Sequence, residues 1–209
     1  RALFESGKLA EAVDALAALE KRGRNWETMT YANFLAFEIG DTDYDNTDYD
    51  LALRAYRRIR TRQSLLKIQQ RVAQNLQAAL DAFNKERPDP ASISARFRRE
   101  RRLNASLREA QDLLNKLETA PDYDAGLFHR IGRCFFNNDR FWEARVAFTR
   151  AVAEATDDKI RETAHFDLIL VLSRMRRFED LIAEADRYLK TYGEEVSSKK
   201  SEVSSEGKM

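Results

Sequence analysis

Two histidines and one cysteine stand among 209 residues, so any chemistry based on imidazole or thiol is confined to three positions. His129 and His165 lie in separate segments, and no His/Cys cluster stands at metal spacing. No glycine-rich phosphate loop follows a strand-like run. The chain is therefore expected not to be an enzyme and to carry no cofactor. Cys134, beside Phe135 and Phe136, reads as a small buried hydrophobe, and His165 as a hydrogen-bonded core histidine. A single cysteine forms no internal disulfide, which leaves periplasm and cytoplasm both open as compartments.

Acidic residues offer a second chemistry. Asp41, Asp43, Asp45, Asn46, Asp48 and Asp50 alternate with Thr and Tyr, in the manner of the first half of a calcium loop. Such a loop needs Gly at its sixth place and a bidentate Glu at its twelfth. Asn46 and Ala52 stand there instead. Thr42-Asp43-Tyr44-Asp45 is nearly repeated as Thr47-Asp48-Tyr49-Asp50, so a local duplication that lengthened a turn over 41–48 is the simpler reading.

Arginine supplies a third. Arg54, Arg57, Arg58, Arg60 and Arg62 form one dense group, and Arg96, Arg98, Arg99, Arg101 and Arg102 another. The net charge of +1 conceals this polarity. Lys and Arg stand against Asp and Glu as 5 to 11 over residues 1–53, 15 to 4 over 54–108, and 16 to 20 over 109–209. A basic centre between acidic flanks suits phosphate-bearing surfaces, either nucleic acid or anionic lipid, in a salt-dependent way. It suits an acidic protein equally, including the 41–50 segment of a second copy.

The elements that must position these groups are helical. Seven Gly and three Pro are too few for many strands and tight turns, and 43% apolar residues are enough for a core, so the expected class is all-α. No run of about 18 apolar residues exists. The chain opens with Arg1 inside a periodic segment, which reads as a fragment or processed product whose upstream signal or anchor is not seen.

One pattern recurs four times. Its clearest copy runs Phe128, Ile131, Gly132, Phe135, then Phe141, Ala144, Phe148, Ala151. Residues three and four apart share a helix face, so two helices each turn an apolar stripe to the other, and the small residues let their backbones approach. The first copy is a second half only, with Gly7, Leu9, Ala12, Leu16 and Leu19. The second has Tyr31, Phe34, Ala36, Ile39 and Gly40, then Tyr49, Ala52, Tyr56 and Ile59. The fourth is degenerate, with His165, Leu168, Leu172, Phe178, Leu181, Ala185 and Tyr188. Ala144 and Leu181 are 37 residues apart, Ala12 and Ala52 are 40 apart, and the latter approaches the tetratricopeptide period of about 34 once the 41–48 insert is removed.

These residues resemble the tetratricopeptide repeat family over residues 1–62 and 125–193, and the last repeat, ending Tyr188 to Gly193, resembles those of bacterial cell-envelope members. The resemblance implies a helical-hairpin solenoid whose first helices line a concave groove for a partner peptide or helix. Carried over, it places His129, Arg130, Arg133 and Asn137 on the groove face of the third repeat, and Asp167, Leu170 and Arg174 on that of the fourth. Such donors suit an acidic side chain, a C-terminal carboxylate or a bound backbone. The Lys and Asn clamp of chaperone-binding members is present only in fragments.

The middle departs from the pattern. From Leu51 to Lys85 the apolar positions predict one helix of about 35 residues, near 50 Å long. Pro88-Asp89-Pro90 breaks it, with Asp89 as N-cap and Pro90 opening the next helix through Ile93, Phe97, Leu103, Leu107, Ala110, Leu114 and Leu117. Residues 51–120 thus read as a long basic antiparallel hairpin, and 194–209, with few apolar side chains, as a disordered tail. The expected function is a scaffold that binds a segment of a partner protein; the alternative is electrostatic binding of nucleic acid or anionic membrane by the hairpin.

Overall fold

The computed structural model describes residues 1–22, 26–86 and 93–206, the side chains of 19–28 and 194–206 excepted. Within these residues every regular element is a helix: α1 (Ala2–Glu5), α2 (Leu9–Arg22), α3 (Trp26–Asp45), α4 (Tyr49–Tyr56), α5 (Arg62–Lys85), α6 (Ile93–Thr119), α7 (Asp124–Asn137), α8 (Phe141–Glu154), α9 (Asp158–Arg174) and α10 (Phe178–Glu206). The chain divides into two compact units, Arg1–Ile59 with Tyr123–Met209, and Arg60–Asp122.

The first unit repeats one device four times. Each first helix ends at a residue of positive φ, namely Gly7 (75°), Thr47 (64°), Asp139 (56°) and Arg176 (56°), and the second helix begins two residues later. The backbone hydrogen bonds repeat with it. Lys8 N donates to Leu3 O, Asp48 N to Asp43 O, Arg140 N to Phe135 O and Arg177 N to Leu172 O. This six-to-one closure satisfies carbonyls that a helix end leaves orphaned. Counting from that residue aligns the cores: Ala12, Ala52, Ala144 and Leu181 fall five places on, and Leu16, Tyr56, Phe148 and Ala185 nine places on.

Close packing follows from paired sizes. Gly40 lies under the Tyr56 ring and Gly132 under Phe148, and a Cβ at Gly132 would stand 2.6 Å from the Phe148 ring. In the fourth copy the sizes are exchanged, Ile169 standing at the glycine place and Ala185 at the aromatic one. Tyr56 and Phe148 are each 1% exposed. Burying one such side chain contributes about 1.5–3 kcal/mol. The α4 helix packs directly on α7, so the pairs before and after residues 60–122 share one core, with Leu16, Ile39, Tyr56, Leu127, Cys134 and Phe148 among its members.

The second unit is an antiparallel pair. Arg62 donates to Leu117 O (2.9 Å) and Glu118 O (2.7 Å), Gln69 to Ala110 O (2.9 Å), and Arg96 to Phe83 O (3.0 Å). Leu65, Phe83, Leu107, Ala110 and Leu117 form its buried seam.

Three expectations are corrected. The long helix from Leu51 to Lys85 is broken between Tyr56 and Arg62, where Thr61 takes the N-cap and accepts from Ser64 N at 3.2 Å. A capping hydroxyl satisfies an orphan N–H and starts a new helix without glycine or proline. The acidic segment 41–48 lengthens α3 to Asp45 and leaves only Asn46–Asp48 as turn. The segment read as a disordered tail continues α10 as helix to Glu206. It lacks Gly and Pro over 194–206, where Ser and Glu predominate, and it extends a helix already nucleated, which spares the cost of a new nucleus. The expected break at Pro88-Asp89-Pro90 and the last residues, 207–209, lie outside the described residues.

Candidate functional site

The first helices of the second, third and fourth pairs, α3, α7 and α9, carry the residues that could meet a partner. Tyr44 is the penultimate residue of α3. Its hydroxyl accepts from Asn137 Nδ2 at 2.8 Å, and the Arg133 guanidinium stands over its ring at 4.6 Å. On the other side His129 Nε2 is hydrogen-bonded to Asp167 Oδ2 at 2.8 Å, with both side chains mostly covered. Between these pairs opens a pocket of about 200 Å³ lined by Tyr44, Arg133, Phe136, Asn137, Phe148, Asp167 and Leu170. A benzene-sized group fills a cavity of roughly 150 Å³, so one apolar or aromatic side chain fits.

Arg133, Asn137, Asp167 and Leu170 therefore line one pocket, and His129 is hydrogen-bonded to Asp167. Arg130 does not join them. It forks onto Asp41, Nε to Oδ1 at 2.7 Å and Nη2 to Oδ2 at 3.2 Å, with its guanidinium 5.4 Å from the Phe37 ring. Tyr56 donates to the same Asp41 Oδ1 at 2.6 Å. Burial alone would lower the Arg130 pKa; the Asp41 bonds and charge more than offset it and hold the guanidinium above its ordinary value. Burial first, and then Asp41, push the Tyr56 phenol up as well. This triad ties α3, α4 and α7 together. Arg174 is exposed at the end of α9 and does not line the pocket.

Tyr44, Phe136 and Phe148 were absent from the sequence-derived site. The signal was available in the register: Tyr44 and Phe136 each stand three residues before a positive-φ turn residue, Thr47 or Asp139.

The acidic run does not converge. Asp41 serves Arg130, Asp43 is 1% exposed, Asp48 caps α4 by accepting from Leu51 N at 3.0 Å, and Asp50 accepts from Asn138 at 3.0 Å. Helical periodicity spreads alternating residues around α3, and among the described residues no group of three His, Cys, Asp or Glu could hold a metal ion. The first arginine group is split, Arg54, Arg57 and Arg58 in one unit and Arg60 and Arg62 in the other. Several arginines serve the fold itself. Arg54 pairs with Asp14 (2.7 Å), Arg57 lies 5.7 Å from the Phe135 ring, and Arg96 and Arg99 cover Phe83 at 4.4 and 5.3 Å. Arg98, Arg101 and Arg102 are exposed along α6.

Cys134 is fully buried, and burial pushes its thiol up to about 12, a value at which almost no thiolate exists near neutrality. His165 is 3% exposed, with Nε2 2.8 Å from Glu184 Oε1 but off the line of a hydrogen bond, and Tyr188 and Tyr192 edge-on to its ring. Comparison with family models, curated proteins and solved structures returns no match.

Proposed function

We propose that this chain is a tetratricopeptide-like adaptor that holds a peptide or helix of another protein along α3, α7 and α9. The supporting observation is the pocket where those helices meet, with an apolar floor at Phe136, Phe148 and Leu170 and polar walls at Arg133, Asn137 and Asp167. Arg133 is held over Tyr44, so less rotamer freedom is lost when it meets a carboxylate. Exposed Phe34, Phe166 and Leu170 extend the apolar character along α3 and α9. The arrangement suits a segment with one apolar anchor for the pocket and an acidic residue beside it for Arg133. A cell-envelope complex is a setting that fits the sequence of the last repeat.

The reading is tested by selecting a displayed peptide library on the whole chain. Enrichment of peptides pairing an acid with a large apolar residue is expected, with loss of binding in Arg133→Glu and in Leu170→Lys. Enriched peptides that bind both variants undiminished would place recognition elsewhere, and absence of enrichment would remove the peptide-binding reading.

A further inference from the structure

The arginines of α6 divide by what they touch. Arg96 and Arg99 cover the Phe83 ring, and Arg99 also pairs with Glu86 at 3.5 Å. Arg98, Arg101, Arg102 and Arg108 are exposed and, among the described residues, form no ion pair. Over residues 93–108 six Arg stand against one acid, Glu100. The same stretch exposes two large apolar side chains, Ile93 at 63% and Phe97 at 64%.

Helical spacing brings these groups onto one face. Ile93, Phe97 and Arg101 are four residues apart, Arg108 follows seven later, and Arg98 and Arg102 stand one place beside Phe97 and Arg101. At about 3.6 residues per turn, this face points away from the seam formed by Leu107, Ala110 and Leu117. We propose that it docks on the surface of an anionic lipid bilayer. Ile93 and Phe97 enter the boundary between headgroups and acyl chains, and the four unpaired arginines meet lipid phosphates. The helix lies on the bilayer; among the described residues no helix is long and apolar enough to cross one.

Charge complementarity calls for a polyanion, and the apolar pair decides which. A nucleic acid backbone would satisfy the arginines but offers nothing to Ile93, and Phe97 is a single stacking surface where single strands are held by several. The acidic segment of a second copy is already engaged, Asp41 by Arg130, Asp48 by the start of α4 and Asp50 by Asn138. A bilayer supplies negative charge and hydrocarbon at adjacent depths. Long arginine stems let the guanidinium groups stay among the headgroups while the two apolar side chains go deeper.

Flotation of the whole chain with vesicles tests this. At about 50 mM salt, binding is expected to phosphatidylcholine vesicles containing phosphatidylglycerol and not to phosphatidylcholine alone, and it should weaken at about 200 mM. Arg98→Gln, Arg101→Gln and Arg102→Gln together are expected to weaken it on the order of a hundredfold, whereas lysine at the same three places, which keeps the charge, should retain it. Ile93→Gln with Phe97→Gln is expected to weaken it roughly tenfold with the helical circular dichroism unchanged. Phe178→Gln with Ile182→Gln, an equally exposed apolar pair on α10, is expected to bind as the unaltered chain does. No flotation with the anionic vesicles overturns the proposal, as does equal flotation with neutral ones or binding indifferent to positions 93 and 97. Nucleic acid that strips the chain from the vesicles at equal phosphate concentration overturns the choice of lipid.

Discussion

Asp43 stands four residues before its turn, where the other three pairs place Leu3, Phe135 and Leu172. It is 1% exposed, and its Oδ2 meets no donor among the described residues. Burial first, and the charge of Asp48 second, raise its pKa to about 6. An unfolded chain holds this carboxyl near 3.9, so the folded state binds the proton more tightly. The stability this contributes is complete below about pH 4 and is lost as pH rises through about 6. Asp43→Asn, of the same shape and without the charge, is therefore expected to melt at a higher temperature than the unaltered chain near neutrality. The advantage should shrink between about pH 7.5 and about pH 4.5. An advantage of constant size across that window would mean the carboxyl is not the cause. The sequence marked Asp43 as acidic but could not reveal its burial. That is a property of its register against Leu3 and Leu172, and the duplicated Thr-Asp-Tyr-Asp obscures the register.

Two of the four helix pairs are held together by glycine beneath an aromatic ring, and this level of the fold was the most legible. Gly132 with Phe148, and Gly40 with Tyr56, recur at matched places, and their small and large sizes show in the residue types alone. Gly132→Ala would set a methyl 2.6 Å from a ring that is 1% exposed and has no room to swing. A loss of about 1–3 kcal/mol is expected. It would be read as a lower midpoint in urea, and Phe148→Leu in the same chain should recover part of it by making space. A Gly132→Ala chain as stable as the original would mean that α7 and α8 stand further apart. Less legible was the end of α4. Ala52, Tyr56, Ile59 and Leu66 continue a helical period across it, and the only stop is the Thr61 hydroxyl, which could as well face water on a helix surface. The pocket was half legible. Arg133, Asn137, Asp167 and Leu170 were named only by carrying over the groove face that the repeat resemblance implies, whereas Tyr44 reaches Asn137 from 93 residues away, which no local spacing discloses.

At the scale of the whole molecule, residues 60–122 are an insertion into a unit whose two flanks already share a core. Tyr56, just before it, and Tyr123, just after it, both pack on Phe37, with ring centroids 6.4 and 5.9 Å away, and Asn33 donates to the Tyr123 hydroxyl at 3.1 Å. The α4–α7 contact, the Arg130–Asp41–Tyr56 triad and the pocket use no residue of the insertion. Replacing Arg60–Asp122 by about six Gly and Ser residues, which reach roughly 20 Å, is expected to leave the rest folded. Loop length costs only logarithmically in closure entropy, so the shorter connection should hold or slightly raise the melting temperature. Circular dichroism should show a loss of helix no greater than α5 and α6 supply, with one cooperative transition retained. Peptides selected on the whole chain should bind the shortened one equally. A shortened chain that fails to fold would show that the insertion supports the repeats. One that folds but no longer binds those peptides would move the recognition surface onto α5 and α6.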